Sequence, residues 1–136
     1  MLLTVSSWAY ADDGREACLE FKIVVQNNTQ DICYLINQTL ESGYLKPHIP
    51  VVYKIMPSQA SSMNFQQYMT AGPQVMLTYQ CGNGEVTFES QKSLCATGGV
   101  IDGTLISAAG MDASFASEPV NFWRQQRGVI HWTLSK

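Results

Sequence analysis

Charged residues are scarce in this chain of 136 residues. Eight Lys and Arg and eleven Asp and Glu make up 14% of it and leave a net charge of −3, whereas about 25% charged residues is typical. The basic residues are scattered, and a nucleic-acid groove needs them clustered in order to neutralise phosphates. We therefore expect no nucleic-acid partner.

Histidine is scarcer still, since the chain has only His48 and His131. A Ser/His/Asp or Cys/His catalytic device needs a histidine base beside a nucleophile, and neither histidine lies in a known motif. The chain also lacks GxSxG, HExxH and a glycine-rich phosphate loop. We expect no catalytic residue, no metal and no cofactor, and we keep a small secreted hydrolase with an unrecognised site as an alternative.

Long apolar runs are absent too, because none reaches the ~18 to 20 residues that a membrane-spanning helix needs. The first eleven residues are apolar and end in Ala9-Tyr10-Ala11, the small-x-small pattern that signal peptidase cleaves. The apolar segment starts at Met1 and lacks the Lys or Arg that normally opens a signal peptide. A buried N-terminal strand is the alternative. We interpret residues 1–11 as a signal-peptide remnant, 12–17 as a flexible leader and 18–136 as one domain, secreted through the periplasm.

The pattern that is present throughout is alternation of apolar and polar residues, which is typical of strands with one buried face. It marks seven or eight short strands, and no segment of ten residues carries a helical stripe. The clearest hairpin joins 75–81 to 85–91 through a glycine-rich turn. The sequence predicts an all-β fold, an antiparallel β-sandwich. Its strands are expected at residues 19–25, 32–40, 51–56, 63–68 (weaker), 75–81, 85–91, 100–107 and 129–134, with Phe115 in a further edge strand.

Four cysteines and no CxxC motif predict two disulfides in an exported protein. Counting the strands alternately up and down places Cys33 and Cys81 at one end of the sandwich, and Cys18 and Cys95 at the other. A Cys18–Cys33 bridge would have to span several residues of about 3.3 Å each, beyond the ~7 Å limit between Cα atoms. We predict Cys33–Cys81 and Cys18–Cys95, a pairing that depends on the weak strand near Phe65.

One segment before the last strand combines adjacent aromatics with arginines. Phe122 and Trp123 are followed by Arg124 and Arg127. Consecutive side chains of a regular strand point to opposite faces, so one aromatic should be exposed unless both pack over one end of the sandwich. Exposed aromatics beside arginines can bind a sugar ring, a lipid headgroup or a protein. These four residues are therefore the candidate ligand-binding site.

Two stretches also resemble known proteins. FKIVVQNNT at 21–29, and VMLTYQC at 75–81 followed by GEVTF at 84–88, resemble small secreted β-sandwich proteins of the aegerolysin and cytolysin-like type. The resemblance covers residues 19–90 and implies recognition of membrane lipids, sometimes with a pore-forming partner. The chain departs from that type in its four cysteines and its fewer early tryptophans. It is also similar in style to uncharacterised type II secretion substrates of intracellular Gram-negative pathogens.

The main hypothesis from the sequence is a non-enzymatic binding protein that is secreted and virulence-associated. Its partner would be a host membrane lipid, a glycan or a surface protein, engaged through loops, and the protein itself would be a monomer. Besides the hydrolase, a second alternative is an assembly subunit of a surface appendage. An unpaired edge strand at 110–117 would favour that alternative, because exposed edges recruit strands from partners.

Overall fold

A computed structural model describes residues 18–45, 52–67, 70–121, 123–124 and 126–136. The described chain forms ten strands and one 3-10 turn, Cys95–Thr97. The strands are β1 (Glu20–Asn27), β2 (Cys33–Ser42), β3 (Tyr44–Leu45), β4 (Lys54–Ile55), β5 (Ala60–Gln66), β6 (Gln74–Cys81), β7 (Gly84–Lys92), β8 (Ile101–Ala109), β9 (Asp112–Glu118) and β10 (Gly128–Ser135).

The strands form two five-stranded sheets that pack face to face. Sheet A has the order β3-β5-β1-β10-β9, and sheet B has the order β4-β2-β6-β7-β8. The predicted all-β sandwich is confirmed, with eight strands of seven to ten residues and two short ones. Sheet A is mixed, because β1 and β10 run parallel, with Phe21 opposite Gly128. Parallel neighbours need a long connection, and the rest of the domain supplies it.

The inner faces follow the alternation of the sequence. In β10, Ile130, Trp132 and Leu134 are buried while His131 is exposed. The Trp132 ring stacks on Phe88 with centroids 4.2 Å apart, and its indole nitrogen donates to Ser90 Oγ over 2.8 Å. Burying a side chain of this size contributes about 3 kcal/mol, so the core centres on the contact between β10 and β7.

Both predicted disulfides are confirmed. Cys33 bonds to Cys81 across neighbouring strands of sheet B, where the two are register partners. Cys18 bonds to Cys95 over a sequence separation of 77 residues. The weak strand on which this prediction depended exists as β5, which pairs with β1 along its whole length. Two such bonds are typical of extracellular or periplasmic proteins.

The strand directions define two ends of the sandwich. The Asn27 end carries the segments 28–32, 56–59, 82–83 and 110–111, together with the Cys33–Cys81 disulfide. The Trp123 end carries the segments 70–73, 93–100 and 119–127, together with the Cys18–Cys95 disulfide.

Two of the predicted strands lie at sheet edges in the structure. Of the strand expected at 51–56, the structure describes residues 52–56, and among these Lys54 and Ile55 form the ladder with β2. This strand, β4, is an edge strand that ends before Pro57. Phe115 does lie in an edge strand, since β9 is the last strand of sheet A. The predicted signal-peptide remnant and leader, residues 1–17, lie outside the described residues. Within the described part, no helix is long and apolar enough to cross a membrane.

Candidate ligand-binding loop

The candidate residues lie in the loop that joins β9 to β10. Pro119 has no backbone N–H and ends the β9 ladder. The loop is closed by a pair of backbone hydrogen bonds between Asn121 and Gln126, each 2.9 Å long. The Asn121 side chain also accepts hydrogen bonds from the backbone nitrogens of Trp123 (3.0 Å) and Arg124 (3.2 Å). This Asx turn satisfies polar backbone groups at the tip and holds its shape.

Trp123 projects from this tip and is 97% exposed, the highest value among the large apolar side chains that the structure describes. It therefore does not pack over the end of the sandwich, which was the alternative left open by the sequence. Arg124 is exposed beside it. A fully exposed indole is unusual, because tryptophan is highly buried on average. Its placement on a closed turn leaves the ring accessible to a partner.

Arg127 has a different role from Arg124. Its guanidinium lies 3.0 Å from the carboxylate of Glu20 and donates to Asn64 Oδ1 over 3.3 Å. Glu20 is only 5% exposed, and a buried carboxylate needs such a partner to offset the loss of its hydration. Arg127 thus anchors the base of the loop to β1 and β5. The fourth candidate, Phe122, lies outside the described residues.

The base of the loop also contacts the β7–β8 connection. A side chain built on Gly99 would lie 3.0 Å from Val120 Cγ2, and one built on Gly128 would lie 2.5 Å from Ile101 Cδ1. A Cβ at Gly128 would require the Ile101 side chain to shift, so glycine lets β10 start this close to β8. These contacts, together with the Arg127 anchor, position the tip relative to both sheets.

A second group of exposed apolar side chains lies along β2 and β4. Val52, Tyr53 (63% exposed), Tyr34 and Ile36 are all exposed, and Tyr53 precedes Lys54, the register partner of Tyr34. The backbone nitrogen of Leu35 donates to the Tyr53 carbonyl over 2.9 Å. This group lies near the Asn27 end, far along the strands from the loop, and it carries no arginine. Sequence reasoning did not single it out, because its residues become neighbours only through the register of β2 and β4.

The described part of the chain contains one histidine, His131. His131 Nε2 lies 3.9 Å from a carboxylate oxygen of Glu118 on the outer face of sheet A. Within the described part, no hydroxyl is hydrogen-bonded to His131, and all four cysteines are in disulfides. The same part contains no group of three or more metal-ligating side chains. His48 lies outside it.

No known protein family matches the chain in sequence, and neither does any curated protein. Its fold is nevertheless similar to solved structures. One is the lipid binding protein Nakanori, with a TM-score of 0.68 and 10% identity, where the match covers 98% of this chain and 80% of that protein. Another is IP-1A from Alcaligenes faecalis, with a TM-score of 0.59 and 9% identity, covering 88% of this chain and 92% of that one.

Identities of 10% and 9% establish a shared fold and nothing about a shared ligand. The resemblance to aegerolysins implied a β-sandwich, and the fold agrees with that expectation. A non-enzymatic binding role is compatible with a neighbour described as a lipid binding protein. Any ligand of this chain has to be argued from its own loop.

Proposed function

We propose that this protein is a non-enzymatic, peripheral lipid-surface binding protein that inserts Trp123 into the membrane interface. The observation that carries the proposal is the 97% exposure of Trp123 on a turn closed by the Asn121–Gln126 hydrogen bonds. Indole rings favour the boundary between headgroups and acyl chains, because they have an apolar body and one polar N–H. Arg124 is in place to contact a headgroup phosphate.

The magnitude expected from one indole limits how tight this binding can be. Removing about 200 Å² of apolar surface from water is worth about 5 kcal/mol, which corresponds to a dissociation constant of order 0.1 mM before any cost is subtracted. An arginine near an anionic surface adds about 1 kcal/mol. We therefore expect reversible binding that increases with anionic lipid, and we expect full affinity to need a further contact.

The finer parts of the proposal concern where the protein acts. A secreted, virulence-associated monomer that engages a host membrane through this loop would agree with two disulfides and with a low content of charge. Export by type II secretion would place it outside a Gram-negative cell. Mass spectrometry of the protein recovered from culture medium would test both the export and the position of the mature N-terminus.

Sedimentation with phosphatidylcholine vesicles, with and without phosphatidylserine, tests the proposed function. Trp123→Ala should weaken binding at least about tenfold, whereas the matched exposed aromatic near the other end, Tyr53→Ala, should bind as the wild type does. Arg124→Gln should weaken binding about fivefold, and only to the anionic vesicles. Absence of wild-type binding, or equal binding by the Trp123 variant, would overturn the proposal.

A second candidate function is assembly through strand pairing. β9 forms one edge of sheet A, and β8 forms one edge of sheet B. Their residues 113–117 and 103–109 contain neither a charge nor a proline. Natural edge strands are usually protected by such residues. Analytical gel filtration over a range of concentrations distinguishes the two hypotheses, because a protein that is monomeric at every concentration does not assemble through strand pairing.

A further inference from the structure

A pocket lies at the same end of the sandwich as the loop. It has a volume of about 290 Å³, at the small limit of ligand sites. We call it the amide pocket, and its lining includes Pro73, Gln74, Gln91, Ser93, Val100 and Asp102. Val100 is exposed and follows Gly99, which contacts Val120 at the base of the loop. The amide pocket and the Trp123 loop therefore lie at the same end of the sandwich.

Three polar side chains of the pocket lining lie in a row across neighbouring strands. Gln74 in β6 is the register partner of Gln91 in β7, and Gln91 is the partner of Asp102 in β8. Neighbouring strands are about 4.8 Å apart, so the row spans roughly 10 Å. Within the described part of the chain, neither amide side chain makes a hydrogen bond, although both are half-buried. Their donors and acceptors are available to a ligand.

The charges around the pocket limit the class of that ligand. Lys92 is 2% exposed, and its ammonium donates to Gln67 Oε1 (2.7 Å) and to the Ser93 carbonyl (3.0 Å) rather than to the pocket. The exposed charge of the lining is the carboxylate of Asp102, which repels anions. No aromatic ring is part of the described lining, whereas quaternary ammonium groups are bound by aromatic faces.

We infer that the amide pocket binds one uncharged sugar unit presented at the surface on which Trp123 rests. Each amide offers both a donor and an acceptor, and a carboxylate accepts strongly, which together match vicinal hydroxyl groups. The sugar could belong to a neutral glycolipid headgroup or to a free glycan. This inference rests on the proposed function, and it supplies the further contact that one indole cannot provide.

The test compares vesicles of phosphatidylcholine alone with vesicles that also contain glucosylceramide or galactosylceramide, and adds an array of neutral glycans. The wild type should prefer one glycolipid by about tenfold. Gln74→Leu and Gln91→Leu should each abolish this preference. Gln80→Leu, at the other end of the same face of β6, should keep it. Asp102→Asn retains the oxygen that accepts from Gly103 N and should lower the preference partially.

The outcomes separate the inference from the proposed function. Trp123-dependent binding to phosphatidylcholine, without preference for either glycolipid and without any neutral glycan bound, overturns the inference alone. A preference that survives both Gln74→Leu and Gln91→Leu overturns it as well. Gln91-dependent binding to an arrayed neutral glycan, without binding to any vesicle, supports the pocket, assigns a free glycan and overturns the lipid function. Thermal midpoints equal to that of the wild type confirm that the variants fold.

Discussion

The two ends of the sandwich differ in whether the polar side chains named here have hydrogen-bond partners. At the Asn27 end, the buried Asn27 side chain donates to the carbonyls of Asp31 (2.8 Å) and Ile55 (2.9 Å) and accepts from Thr29. Lys136 adds an ion pair with Asp31 at 2.6 Å. At the Trp123 end, an indole faces solvent and two amides lack partners within the described chain.

Under the proposed function, this difference assigns stability to the Asn27 end and ligand contact to the Trp123 end. Groups that satisfy one another contribute to folding but have little left for a ligand. Polar side chains without a partner in the described chain, and an exposed apolar ring, contribute little to the free energy of folding. They remain accessible to a ligand. The loop at the Trp123 end is nevertheless well held, because its own hydrogen bonds and Arg127 fix it to the sheets. Three predictions challenge this division.

The largest effect is expected from removing the disulfides, one at each end. Closing loops of 48 and 77 residues corresponds to about 4 kcal/mol each. The double variants Cys33→Ala/Cys81→Ala and Cys18→Ala/Cys95→Ala should therefore lose similar free energies of unfolding in denaturant titrations. Vesicle binding, measured where both remain folded, should decrease only when the bond at the Trp123 end is removed. An equal decrease in both would contradict the division between the ends.

A smaller loss is expected for Asn27→Ala. The substitution removes the Asn27 partner of the buried Ile55 carbonyl and of the Thr29 backbone N–H, which should cost about 3 kcal/mol. Asn28→Ala is the matched control, because Asn28 is the exposed neighbour, and its change should stay within about 0.5 kcal/mol. Urea unfolding followed by circular dichroism measures both. If the two variants unfold at the same urea concentration, the Asn27 network does not stabilise that end.

The smallest effect concerns pH and Lys92 at the Trp123 end. Burial lowers the pKa of the Lys92 ammonium from 10.5 to about 8. Between these values the unfolded chain holds the proton that the folded chain has released, so stability rises with pH. The rise from Lys92 should reach about 2 kcal/mol between pH 7 and pH 9.5. Lys92→Met should lack this rise. If the free energy of unfolding changes equally between the two pH values in both proteins, the assignment to Lys92 is wrong.

Much of the fold could be predicted because it is local. Alternation places Ile130 and Trp132 inside, and the glycine-rich turn after Cys81 closes the hairpin of β6 and β7. Counting the strands alternately up and down also predicted the disulfide pairing, because the chain reverses direction between successive strands. The parallel β1–β10 pair could not be predicted in this way, since nothing in either strand's own pattern records its neighbour.

The candidate site was predictable only in part for the same reason. Adjacent aromatics and arginines identified the loop, and an aromatic on a turn is a local property. The ion pair of Arg127 with Glu20 joins residues 107 positions apart, and it separates this arginine from Arg124. The row of Gln74, Gln91 and Asp102 depends on the registers of three strands. Neither feature has a signature in a single stretch of sequence.

The position of β10 in sheet A has a consequence for how the chain matures. This strand lies between β1 and β9 rather than at an edge, so a nascent chain cannot complete sheet A until residue 135 has left the ribosome. Contacts of such long sequence separation slow folding. Sheet B, whose five strands all lie within residues 33–109, therefore has its complete set of strands before sheet A does.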